Sequence, residues 1–60
     1  MVGLHKGAVV MIAAFDDVPA HRFVIHTVEQ DCVTGFALTG PLAGSYGEPP
    51  FDLIIAIAKD

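Results

Sequence analysis

The sequence predicts an all-β fold, and three observations predict it. β-Branched residues crowd the apolar runs, with Val9, Val10 and Ile12 in the first and Ile54, Ile55 and Ile57 in the last. Such side chains favour a pleated, packed surface. Residues 21–29 alternate with a period of two, the signature of a half-buried strand. Turn-forming residues then punctuate the chain at 16–20, 29–31 and 40–50, and short strands at such intervals point to a sheet that curls on itself.

Each element follows in order. Residues 1–6 form a lead-in to Gly7, and Ala8 to Phe15 form the first strand. Asp16-Asp17-Val18-Pro19-Ala20 is a turn: the aspartates bond their own backbone, and Pro19 fixes its φ and holds Val18 extended. His21 to Glu29 is the clearest strand, with Phe23, Ile25 and Thr27 on one face and Arg22, Val24, His26 and Val28 on the other. Glu29-Gln30-Asp31 reverses the chain into the partner strand, Cys32 to Thr39. There Cys32, Thr34, Phe36 and Leu38 share one face, and Val33, Gly35, Ala37 and Thr39 the other. Gly35 inside a strand marks a bulge or a close backbone approach, and a bulge there bends the sheet.

Residues 40–50, Gly-Pro-Leu-Ala-Gly-Ser-Tyr-Gly-Glu-Pro-Pro, hold three of the four prolines and three of the six glycines. This is the one loop long enough to carry a site. Phe51 to Ala58 is read as a closing strand with Phe51, Leu53, Ile55 and Ile57 on one apolar face. A helix begun at Pro50 is the rival reading, since proline suits a first helical position, but the isoleucines favour strand. These elements describe one domain over residues 1–60. In shape it resembles a small, strongly bent SH3-like barrel of four to five short antiparallel strands, in which the last strand returns beside the first.

Composition narrows the function classes. At 60 residues the chain has little surface-to-volume margin, and its single cysteine forms no internal disulfide. Apolar residues make up 53% and charged residues 17%, an apolar excess over ordinary domains that points to self-association or a protein partner. The net charge is −4, with Lys6, Arg22 and Lys59 as the fixed cations. Phosphate neutralisation needs clustered Lys and Arg, so no nucleic acid is expected, and no membrane either, since no run reaches about 18 apolar residues. Lys6 and residues 8–15 imitate a secretory leader, but the run is short and meets Asp16-Asp17, so a cytoplasmic location is expected.

No reaction chemistry rises above the background. His21 and His26 are five apart and lie on opposite strand faces, so they do not converge on a metal, and both are read as partly exposed strand residues. Cys32 shares its face with Phe36 and Leu38 and lacks the cations that activate a thiol. Asp16 and Asp17 are solvated turn residues. The 40–47 segment lacks the lysine and spacing of a phosphate loop, and Ser45 lacks the frame of a nucleophile elbow. No catalytic residue, cofactor or metal is therefore expected.

The residues singled out for interaction are Leu42, Tyr46, Phe51 and His26. Leu42 and Tyr46 either cap the open end of the barrel or grip a partner, and capping is the expectation because exposed apolar patches are unfavourable. The leading reading is a non-enzymatic binding or interaction module that self-associates. One alternative is a small enzyme whose site forms between subunits from His26, Asp52 or Tyr46. The other is a nucleic-acid-binding β-barrel, disfavoured by charge.

Overall fold

The alternation read from the sequence becomes an antiparallel sheet in a computed structural model, which describes residues 4–58. Its strands are β1 (Val9–Ile12), β2 (His21–Val28), β3 (Val33–Ala37), β4 (Tyr46–Gly47) and β5 (Ile54–Ala58), in the spatial order β4-β3-β2-β1-β5. A single 3-10 turn, Phe51–Leu53, precedes β5. The described residues contain no helix long and apolar enough to cross a membrane.

The first expected strand is shorter than its apolar run. Pairing of β1 with β2 stops at Ile12↔His21. Phe15 and Val18 then form a separate bridge through paired bonds of 2.8 and 3.0 Å. Asp16 and Asp17 make the two-residue turn between them, and Asp16 takes a φ of 49°, a conformation aspartate tolerates better than most residues. The β2–β3 hairpin reverses as expected, with Val28↔Val33 as its last pair and the Glu29 N–H donating to the Cys32 carbonyl at 2.8 Å.

Gly35 combines both features its position implied. The β2–β3 register shifts between Ile25 and Thr27, opposite Gly35 and Thr34, so His26 is the bulged residue. The β2 backbone also crosses so near that a β-carbon at Gly35 would overlap the Val24 carbonyl oxygen.

The last strand returns beside the first, as expected, through Val9↔Ala58, Val10↔Ile57, Met11↔Ala56 and Ile12↔Ile54. The barrel does not close, however: β4 and β5 are the two ends of the sheet and do not pair. The expected apolar stripe of the last element also breaks. Residues 51–53 turn instead of extending, with the Leu53 N–H donating to the Pro50 carbonyl at 3.1 Å. Strand period therefore begins only at Ile54, and a second shift skips Ile55. Ile54 takes the half-buried place beside Ile12, while Ile55 and Ile57 are exposed.

The core lies on the concave face. Val10, Ile12, Phe23, Ile25, Val33 and Ala37 are buried there, with Ala8 at the strand entry. Leu4, Phe15, Leu42, Phe51, Leu53 and Ile54 pack over them. Burying each large aliphatic side chain contributes about 1.5–3 kcal/mol.

Candidate functional site

Two clefts flank Tyr46, one on each side of the sheet. The first is an apolar cleft of about 260 Å³ at the end of the concave face. Ile12, Phe23 and Ala37 form its floor, Phe15 and Leu53 one side, and Leu42, Tyr46, Pro49 and Pro50 the other. The 40–50 loop builds this second wall. Gly40 and Gly44 carry φ values of 79° and 86°, which only glycine adopts without strain. They let the loop fold back so that Gly44 N–H donates to the Ala37 carbonyl at 2.7 Å and Ala37 N–H to the Ser45 carbonyl at 3.0 Å.

His21 stands in this cleft and corrects its expected exposure: it is 4% exposed. Its Nδ1–H donates to the Pro19 carbonyl at 2.9 Å. A carbonyl only accepts, so the proton sits on Nδ1, and Nε2 of the neutral ring is an acceptor. The ring centroid lies 6.2 Å from that of Phe15. The strand alternation already sets His21 on the face of Phe23 and Ile25; exposure was expected from the polarity of the imidazole, and the Pro19 carbonyl satisfies that polarity inside.

The second cleft, about 540 Å³ and shallow, opens on the convex side. His26, Thr27, Glu29, Asp31, Cys32, Thr34, Tyr46 and Glu48 line it. Its hydrogen bonds run in a fixed direction. Thr27 donates to Glu29 Oε2 at 2.8 Å, so in the 2.6 Å Thr27–Thr34 pair Thr34 is the donor. Tyr46 donates to Glu48 Oε2 at 2.8 Å, and this bond, with desolvation and the Glu48 charge, raises its pKa above the ordinary phenol value. Cys32 is half-buried. Desolvation first, then the charges of Asp31, Glu48 and Glu29, raise its thiol pKa. That is the opposite of what a nucleophilic thiol needs. Among the described residues no group of three or more His, Cys, Asp and Glu side chains could hold a metal ion.

The interaction residues divide between these places. Leu42 is half-buried and packs on the core. Tyr46 is 55% exposed and packs edge-on against Phe36, with centroids 5.7 Å apart. His26 is exposed on the convex side, where it shares a cleft with Tyr46. Phe51 is half-buried against the core and lines neither cleft. Asp52 also lines neither, so within one chain it does not join His26 and Tyr46.

A third feature emerges only from the strand register. Ala58↔Val9, Val9↔Val24, Val24↔Phe36 and Phe36↔Tyr46 are successive cross-strand partners. Directly opposed residues share a face, so these five side chains form one uncharged row across all five strands of the convex surface. Met11 and Leu38 extend it on the Arg22 side. His26, Thr34 and Glu48 border it on the other.

Fold and clefts together define a small antiparallel all-β domain with an uncharged convex band. Comparison with protein-family models, curated proteins and solved structures gave no match.

Proposed function

We propose that this chain is a non-enzymatic interaction module that self-associates through its convex face. The observation that carries the reading is the unbroken row Ala58–Val9–Val24–Phe36–Tyr46. Five strands spaced about 4.8 Å apart make this row about 20 Å wide, and the flanking Met11, Leu38, His26 and Glu48 would have to join it to approach the roughly 800 Å² per partner of a standard interface. Phe36 and Tyr46, of the residue types enriched at interface cores, are its most exposed members.

The flanks favour a second copy as the occupant. Arg22 lies on one side of the row and Glu48 on the other. A two-fold axis along the row would set each copy's basic flank against its partner's acidic flank, the self-complementarity an isologous dimer requires. The curl of the sheet and the return of β5 to β1 support an SH3-like arrangement within each subunit. A single cysteine, which forms no internal disulfide, suits a reducing compartment such as the cytoplasm.

Size-exclusion chromatography with light scattering at about 0.1 mM, where ordinary homodimers persist, tests the reading. A dimer is the expected result, and a sharp monomer at that concentration overturns it.

A further inference from the structure

The self-association reading leaves the apolar cleft on the concave side unused, and a polar atom faces into it. His21 is more than nine-tenths buried and lines the cleft. Its Nδ1 is taken by Pro19, and among the described residues no side chain or backbone group partners Nε2. No buried side-chain nitrogen or oxygen there is sealed off without a partner, so Nε2 must lie on an accessible wall, and the wall it lines is that of the cleft. Water can reach an acceptor so placed, and a ligand O–H that displaces that water into an apolar cleft makes a hydrogen bond with a net contribution of about 0.5–1.5 kcal/mol.

Size and lining define the rest of the ligand. A closed apolar cavity of about 150 Å³ holds a benzene ring. Drug-sized molecules occupy pockets upward of about 300 Å³. At about 260 Å³ the cleft fits one ring with a small substituent. Phe15 and Phe23 offer ring faces and edges, with Pro49 and Pro50 closing the side, and aromatic pairs contribute about 0.5–1.5 kcal/mol beyond area burial. Glu48 at the rim disfavours an anionic ligand.

We propose that the cleft between β2 and the 40–50 loop binds a neutral aromatic hydroxyl, its ring against Phe15, Phe23 and Leu42 and its O–H donating to His21 Nε2. Two sources share this chemistry: a free small phenol, and a tyrosine side chain carried on a peptide.

The test is an amide-resolved NMR titration of the intact chain at pH 8 with para-cresol and with its isomer anisole, which has the same atoms but no O–H. Para-cresol is expected to shift the signals of Phe15, Phe23, Leu42 and Tyr46 at millimolar concentration. It should bind about five-fold more tightly than anisole, the ratio that one ordinary hydrogen bond supplies. A third arm uses a capped pentapeptide, Ala-Ala-Tyr-Ala-Ala. Binding of the peptide at the same signals assigns the source to tyrosine, and binding of para-cresol alone assigns it to a free phenol. Replacing His21 by Phe, which keeps a ring beside Phe15, should erase the preference for para-cresol. Should that variant not fold, the isomer pair on the unaltered protein still decides. Equal binding of the two isomers, or no shift at the cleft signals up to about 10 mM, overturns the proposal.

Discussion

Gly35 of β3 is pressed against the Val24 carbonyl of β2, closely enough that a β-carbon at Gly35 would overlap the oxygen and stand 2.8 Å from Phe23 Cε1. The obstruction on one side is backbone, which cannot swing away. On the other it is a buried ring of the core. Opening this approach would flatten the bend at the His26 bulge and shift Phe23 at the floor of the apolar cleft. Gly35→Ala is therefore expected to destabilise the chain by about 2–3 kcal/mol, the upper range for overpacking. Against a core that rarely supplies more than about 3–5 kcal/mol at this size, much of the protein would unfold. Urea titration followed by circular dichroism checks this. Gly44→Ala is the comparison: nothing lies within 4 Å of its added carbon, although its φ is 86°. It should cost about 1 kcal/mol from the left-handed backbone alone.

The thiol of Cys32 should be slow to alkylate. Desolvation, followed by the charges of Asp31, Glu48 and Glu29, holds the proton on sulfur, and only the thiolate attacks. At pH 8 iodoacetamide should react with the folded chain several-fold more slowly than with the chain in denaturant. Asp31→Asn with Glu48→Gln should raise the folded-state rate, because two of the repelling charges are gone. A folded rate equal to the denatured one would contradict the assigned surroundings.

Tyr46 is the sole tyrosine, and the chain has no tryptophan, so absorbance near 295 nm reports its ionisation without interference. Its hydrogen bond to Glu48, with desolvation and the Glu48 charge, raises its pKa above the ordinary phenol value. The spectroscopic midpoint should lie above that of a free tyrosine amide, and Glu48→Gln should lower it. The sign for stability follows by linkage. Tyr46 and Cys32 both bind their protons more tightly when folded. Their contribution is complete below the unfolded values, and it is lost as pH rises through the folded ones. Melting temperature should therefore fall progressively as pH is taken above about 9, where an ordinary thiol and then an ordinary phenol ionise.

Local rules made much of the sheet legible. The alternation of residues 21–28 placed Phe23 and Ile25 on one face and His21 and His26 on opposite faces, and Gly35 signalled a bulge or a close approach, of which the approach lies at Gly35 itself and the bulge across from it at His26. The features that were not legible depend on residues distant in sequence. His21 shares the buried face of Phe23 and Ile25 by period two, so the alternation carries its burial, but the cleft wall that the 40–50 loop sets beside it comes from residues 42–50, far along the chain. Tyr46 and Gly47 become a strand only because Phe36 and Gly35 offer an edge. The 51–58 stripe failed for a local reason that period counting overlooks: three residues after Pro50 form a 3-10 turn and change the phase. The convex row was equally hidden, since the register that aligns Val9, Val24, Phe36 and Tyr46 is set by the bulge and the hairpins together.

That row yields a prediction that separates face from edge. β5 is an end strand whose residues, Ile54–Ala58, carry no charge, and an uncharged edge is itself a route to association. The Ile55 bulge interrupts its ladder, however, and bulges disfavour edge pairing. Phe36 sits in the convex row at 44% exposure, and Ile55 lies outside the row at 60% exposure. A lysine at either position can reach water from the isolated chain, so neither substitution should unfold it. At the centre of a face-to-face dimer, though, two lysines related by symmetry would be desolvated beside one another. Burying unpaired like charges costs several kcal/mol. Phe36→Lys is therefore expected to weaken dimerisation at least 100-fold, and Ile55→Lys to leave it within about three-fold. Sedimentation equilibrium, with circular dichroism to verify folding, compares the two. The reverse ranking would move the interface from the convex face to the β5 edge.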